Sequence, residues 1–370
     1  MTAKYTIREI LAMTRESCWD QIHVRQSVRI NFDRVLKCGT PALGAEVYTS
    51  HTEKKVLFHR CRSRACVSCG HRATILWQRE QWCVLPDIPY TGIVVTMPQE
   101  FRLILRENRH LLNDIASVAA LSVQSLVKEM FGAEIYLMAV QQSFGSDLKF
   151  HPHVHMLMSS GGLHKADLRW IPRLSIDKGV IMKRWRASLI HYLRLAFDAG
   201  SIQTELSKEA FHLLLDKQSG RWWNIHLDPI HSKKHFLHYA ARYIRHPPLA
   251  QSRLLEVNPE QIAFRYKDYK ARCKSIMRVT PTEFVSMLMD HVPDKYANAI
   301  RYFGLLSPRL KRYADLAFEM LGQVKKPRPK RLSWPQSIRK YFHIDPLLDS
   351  KGKLMKWSGR LPPAIAFQST

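Results

Sequence analysis

Three histidines, His151, His153 and His155, occupy every second position of FHPHVHML, residues 150–157. Period two is the period of a β-strand, so the three rings would point to one face of a sheet. Neutral imidazole is a common metal ligand. His153 and His155 could reach one cation together and leave coordination positions open for a substrate oxygen. A histidine-rich strand without a ligand is the competing reading. Pro152 cannot donate to a ladder, which points to an edge strand or to pairing on one side there. A second pattern lies in LHYAARYIRHPP. It puts Tyr239 and Tyr243 four residues apart on a predicted helix that runs to Pro247, with both phenols on one face. A phenol, with a pKa of about 10, is a weak nucleophile. Beside a divalent cation and the basic Lys233, Lys234, Arg242 and Arg245 it could attack phosphorus and keep the phosphodiester energy as phosphotyrosine. Core packing of the tyrosine pair is the plainer alternative.

A third pattern is HRCRSRACVSCGHR, which holds Cys61, Cys66 and Cys69. Two thiolates separated by two residues reach one tetrahedral ion from a tight turn. Gly70 suits the close backbone approach of such a knuckle. Cys38, in KCGTPALG, is the natural fourth ligand of a structural zinc site. His51, His59 and His71 are near enough in sequence to replace one thiolate. Buried free thiols are the alternative, and Cys18, Cys83 and Cys273 are read as core residues.

These groups need elements to hold them. Helical spacing covers residues 1 to 37, and the cysteine region 38–72 reads as irregular. TGIVVTMP at 91–98 is a short strand stopped by Pro98, followed by one long helical stretch that ends at Gly132. EIYLMAVQQSF and FHPHVHMLMSSGG, joined by GSDLK, form a predicted hairpin over 134–160. Residues 221–230 read as a strand, IAFRYKDYKARCKSIMRVTP as a second hairpin, and TPTEFVSMLMDHV as a helix capped by Thr280 or Thr282. After about residue 305 the chain turns basic and proline-bearing, the pattern of a mobile tail that contacts nucleic acid.

Charge sets the class of partner. The 370 residues carry 57 Lys plus Arg against 31 Asp plus Glu, a formal net of +26. Such a field concentrates polyanions. No apolar run has the length of a membrane span, and no signal peptide is expected from MTAKYTIREILAMTRESCWD. Seven cysteines, four of them within 38–69, fit a reducing compartment and a metal cluster better than a disulfide framework.

In order along the chain, CGTPALG, CRSRACVSCGHRAT, FHPHVHM, YAARYIRHPPLAQSRL, FRYKDYK, TEFVSMLMDHVPDK and IRYFGLLSPR resemble the IS91-type two-tyrosine HUH transposases. These move by a rolling-circle-like route through single-stranded DNA. The resemblance implies an α+β fold with a central antiparallel sheet of HUH nuclease type flanked by helices. It also implies a helical zinc-binding domain over 1–84, a catalytic domain with the tyrosine helix over 85–305, and a basic extension over 306–370. His153 and His155 would be the HUH pair holding Mg2+ or Mn2+, with His151 or Gln142 as a third ligand, and Tyr239 and Tyr243 the nucleophiles. Cys38, Cys61, Cys66 and Cys69 would hold Zn2+. Family members often carry a further cysteine pair between the counterparts of Cys38 and Cys61. GAEVYTSHTEKKVLFHR has none here, which puts a second metal in doubt.

The function expected is nicking and joining of single-stranded DNA at element ends and target DNA, in the bacterial cytoplasm beside the nucleoid. Phosphate contacts are expected from Arg62, Arg64, Arg242, Arg245, Lys325, Lys326, Arg328, Lys330 and Arg331, with aromatics in RLSWPQSIRKYF for base stacking. A replication initiator or relaxase would share the chemistry. A zinc-dependent DNA-binding protein that has lost catalysis would share only the affinity.

Overall fold

Alternation in the sequence becomes strand pairing in the structure, a computed structural model that describes residues 5–19, 24–63, 65–243, 248–268, 271–330 and 332–364. The chain starts with α1 (Ile7–Met13) and α2 (Gln26–Lys37), and Thr6 opens α1 through a capping box with Glu9. Residues 38–72 are more regular than expected. AEVYT and KKVLF alternate around a polar turn and pair as β1 (Ala45–Thr49) and β2 (Lys54–Phe58), and α3 (Val67–Val84) begins inside the cysteine cluster.

β3 (Tyr90–Val95) stops short of Pro98, and the long helical stretch after it splits into α4 (Glu100–Glu107) and α5 (Leu111–Phe131). The break is at Asn108. Its buried side-chain amide donates to the carbonyls of Ile104 (2.9 Å) and Gln203 (2.7 Å), and its Oδ1 accepts from the Gln203 N–H (2.7 Å). A side chain that competes for backbone groups ends a helix, and its distant partner is invisible in the local pattern. Beyond α5 come β4 (Ala133–Glu134), the hairpin of β5 (Tyr136–Phe144) and β6 (Phe150–Ser159), and short β7 (Gly162–His164) and β8 (Arg169–Ile171). Two helices not foreseen, α6 (Lys178–Asp198) and α7 (Lys208–Ser219), precede β9 (Ile225–Ile230) and α8 (Lys233–Ala241).

Five strands form the central sheet. The remaining elements are β10 (Leu254–Val257), β11 (Ile262–Asp268), β12 (Cys273–Val279), α9 (Pro281–Met289), β13 (Ile300–Gly304), α10 (Lys311–Met320), α11 (Trp334–Phe342) and β14 (Lys356–Leu361). The sheet order is β13-β5-β6-β3-β9, with every neighbouring pair antiparallel. The fold is α+β. The histidine strand β6 is thus the middle strand and not an edge. Pro152 is tolerated because β3 pairs only as far as Val154, and the register with β5 slips between Gln142 and Phe144.

Each face of the sheet has its own helices. Val154, Met156 and Met158 enter a core with Ile115, Ala119 and Val123 of α5 and Trp185 and Leu189 of α6. Burying such side chains stabilises by roughly 1.5–3 kcal/mol each. A one-residue slip of β6 would drive the histidines into that core, so the register is strongly specified. The other face packs Met138, Val140 and Leu157 against Trp77 of α3, Phe236 and Tyr239 of α8 and Phe318 of α10. A third core joins α1 and α2 to Leu254, Phe264 and Phe284, so the cysteine region is completed by chain far away in sequence.

The segment beyond residue 305 is not a mobile tail over its described residues. It builds α10 and α11, and β14 pairs antiparallel with β1. Among the described residues no helix is long and apolar enough to cross a membrane.

Candidate active site and zinc cluster

Alternation on β6 sends His153 and His155 to the face under α8. Across the hairpin Val140 pairs with His155 and Gln142 with His153, so Gln142 shares that face. The Nδ1 of His153 lies 2.7 Å from the carbonyl of His151. A neutral ring donates there and keeps its lone pair on Nε2. That Nε2 lies 3.0 Å from the Nε2 of His155, which lies 3.2 Å from the Oε1 of Gln142. Three ligand-type atoms therefore face one another, and atoms so disposed share either a proton or a cation. Burial holds both imidazoles below the usual histidine range, neutral and able to bind a metal. The Nδ1 of His155 is buried without a partner among the described residues. This donor set fits a divalent cation at His153, His155 and Gln142. The His151 ring centroid is 5.3 Å from that of His153, against 4.8 Å between His153 and His155. His151 is only partly buried, and burial pushes its pKa down to about 4.

Both tyrosines come to the same place. The helix that carries them is shorter than expected. α8 starts at the Ser232 cap and ends at Ala241, and Tyr243 follows in a turn in which its N–H donates to the Ala240 carbonyl at 3.0 Å. Residues 244–247 lie outside the described residues. The Tyr243 ring stacks on His155, centroids 3.7 Å apart and planes at 22°. Tyr239 sits behind it, its ring centroid 5.1 Å from that of Tyr243, and is buried. Burial and the neighbouring Tyr243 raise its phenol pKa, and Arg242 opposes the rise. The Arg242 guanidinium carbon is 4.7 Å from the Tyr239 ring and 5.7 Å from the Tyr243 ring.

One residue of this arrangement escaped the sequence reading. A Cβ on Gly92, in β3, would lie 3.3 Å from Cζ and 3.4 Å from the hydroxyl of Tyr239. The signal was present: an isolated glycine inside a strand marks a close approach.

The four cysteine sulfurs converge as well. Sγ of Cys38 lies 3.8 Å from that of Cys69 and 3.6 Å from that of Cys66, and Cys61 to Cys69 is 3.7 Å. A tetrahedral ion with Zn–S bonds of about 2.3 Å requires S···S edges of about 3.8 Å. The β1–β2 hairpin returns the chain so that Cys38 and Cys61 meet, and α3 carries Cys69 in its first turn. Backbone N–H groups of Cys61, Arg62 and Ser63 donate to Cys38, Cys69 and Cys61 at 3.3–3.4 Å, which favours thiolates. The left-handed turn residues are Gly39 (φ 72) and Arg62 (φ 56), whereas Gly70 is helical. His59 is committed to Leu43 and Glu46. Of the other thiols Cys18 and Cys83 are buried, but Cys273 is exposed, not a core residue.

Comparison with known proteins bears on both centres. Residues 10–97 match a family model described as a transposase zinc-binding domain, and residues 137–314 match one described as a putative transposase. The chain is 28% identical to the transposase for insertion sequence element IS801 of Pseudomonas savastanoi pv. phaseolicola, over 94% of this chain and 88% of that protein. This chain belongs to the IS91-type transposase family. The transposase is also 26% identical to the putative transposase y4qJ of Sinorhizobium fredii, over 82% of this chain and 80% of that one. No solved structure matches it.

The basic residues of this transposase are spread, not gathered in one tail. Arg62 and Arg242 are exposed, one at the zinc cluster and one at the tyrosines. Lys325 pairs with Asp315 at 2.5 Å, Lys326 lies over the ring of Trp82 at 5.9 Å, and Arg328 and Lys330 are exposed. Arg64, Arg245 and Arg331 lie outside the described residues.

Proposed function

We propose that this transposase is a HUH-type strand-transferase that cuts and rejoins single-stranded DNA at the ends of its element through 5′-phosphotyrosine. The observation that carries the reading is the meeting of His153 Nε2, His155 Nε2 and Gln142 Oε1 directly beneath the stacked Tyr243, with Tyr239 behind. His153, His155 and Gln142 would hold Mg2+ or Mn2+, which when bound supplies Lewis-acid polarisation of a phosphate oxygen. The chain's own groups do the rest. The phenol oxygen of one tyrosine forms the bond to phosphorus as the bond to the 3′ oxygen breaks, leaving a free 3′-OH. Arg242 places positive charge over both rings where the phenol loses its proton. Attack by a 3′-OH reverses the step without ATP, because the phosphotyrosine has kept the bond energy. Two tyrosines allow two strands to be held at once. The zinc cluster stiffens the N-terminal module, and its helix α3 reaches the tyrosine helix, where the Gln78 amide donates to the Leu237 carbonyl at 3.1 Å. The cytoplasm, where DNA and reduced thiols coexist, is the compartment this chemistry suits.

The test incubates purified protein with labelled single-stranded DNA from an element end, with Mn2+ or Mg2+ and with EDTA. A denaturant-resistant protein–DNA band should form only with metal, and Tyr239→Phe/Tyr243→Phe should abolish it. Tight binding without any band would make the protein a DNA-binding module instead.

A further inference from the structure

Beside the site, between the N-terminal helices and β5, lies a cavity of roughly 130 Å3. Gln142 and Tyr243 stand at its wall, and Phe32, Phe144 and Leu288 make it largely apolar. Arg109 also lines it, at the junction of α4 and α5, with a side chain only 12% exposed. Its hydrogen bonding is incomplete. Nε lies 3.4 Å from Asp294 Oδ2 and Nη2 lies 3.4 Å from the Val292 carbonyl, both long for such bonds, and Nη1 is buried without an acceptor among the described residues. Asp294 is already paired with Arg25 and accepts from the Ser27 hydroxyl at 2.8 Å. Two guanidinium groups thus share one carboxylate, and the wall of the cavity contains a buried cation with one N–H group unpaired among the described residues and two loosely held. A buried charged donor calls for an acceptor.

We propose that this cavity takes one unpaired base of the DNA strand held at the tyrosines, and that the base is guanine. The inference rests on the DNA-processing role proposed above. A bare phosphate would desolvate against Phe32 and Phe144, whereas a base offers flat π surface to such walls and acceptors at its edge. Two unpaired bases present adjacent acceptors, guanine through N7 and O6 and cytosine through N3 and O2. Guanine makes the commonest bidentate pair with arginine and brings the larger π surface to the apolar walls. It would face a guanidinium whose Nη1 has no acceptor among the described residues and whose Nη2 is loosely held. Because Tyr243 borders both cavity and metal ligands, a base seated here sets which phosphate lies at the phenols.

The test needs no cleavage. Zinc-loaded full-length protein, without Mg2+ or Mn2+, is titrated with fluorescein-labelled dT12 and with dT12 carrying one dG at the sixth position. The guanine should tighten binding by about tenfold. Arg109→Met should lose that gain. Asn298→Trp, which fills the wall from an exposed position, should lose it too, with melting temperature and zinc content as folding controls. Equal binding of the two strands overturns the proposal, and so does a folded Asn298→Trp protein that keeps the preference. Covalent-band formation on element-end DNA is scored separately, so failure of the pocket and failure of the strand-transfer reading are told apart.

Discussion

The ring of Tyr243 lies flat on the ring of His155, 3.7 Å between centroids, so a proposed nucleophile is also the lid of a proposed metal ligand. Groups that orient a ligand are worth about 10–100-fold in metal affinity when lost. Tyr243→Ala should therefore weaken Mn2+ binding by about tenfold, whereas Tyr243→Phe should leave it near wild type. Calorimetric titration with Mn2+ separates the two. Equal weakening in both would mean that the hydroxyl, not the stack, matters.

Gly92 and Tyr239 make a second prediction. A methyl group at 92 would press on the Tyr239 ring from a sheet strand that cannot move without breaking pairs on both sides. Gly92→Ala should cost about 1–3 kcal/mol of stability and displace Tyr239. Urea unfolding reads the first. The second shows as loss of the covalent band in a Tyr243→Phe background, where only Tyr239 can react.

Removing zinc should reach the tyrosines. Cys69 sits in the first turn of α3, and the far end of that helix holds α8: the Lys233 Nζ donates to the carbonyls of Trp82 (3.3 Å) and Leu85 (3.1 Å). Cys69→Ser should lose stoichiometric zinc, melt at lower temperature, and expose the segment around Leu237 to hydrogen exchange. Elemental analysis and exchange mass spectrometry check this. Unchanged protection at α8 would show that the two ends of α3 are independent.

Acid should weaken the fold through His291. It is buried between the Leu148 carbonyl (2.8 Å) and the Ser143 hydroxyl (3.2 Å), and burial pushes its pKa down to about 4 from 6.5. The neutral ring is native, so the unfolded chain gains the proton first. Its contribution is complete above pH 6.5, falls as pH drops, and is gone below about 4. The full swing is on the order of 3 kcal/mol. In His291→Gln the loss of stability between pH 7 and pH 4.5 should be smaller than in wild type, as measured by urea midpoints at each pH.

Local pattern was enough for much of this molecule. Period two in residues 136–159 specified the β5–β6 hairpin and the shared face of His153 and His155, because side-chain direction in a strand follows from position alone. Cysteine spacing announced the zinc cluster, and the Thr280 capping box announced α9. What the sequence could not show is what depends on distant chain. Asn108 breaks a helix because of Gln203, β1 finds its second partner in β14, and Arg109 is short of acceptors because Arg25 occupies Asp294. The approach of Gln142 to His155 is of the same kind. Gln142 lies close by in sequence, but only the pairing register across the hairpin sets it opposite His153 and brings its Oε1 to the Nε2 of His155.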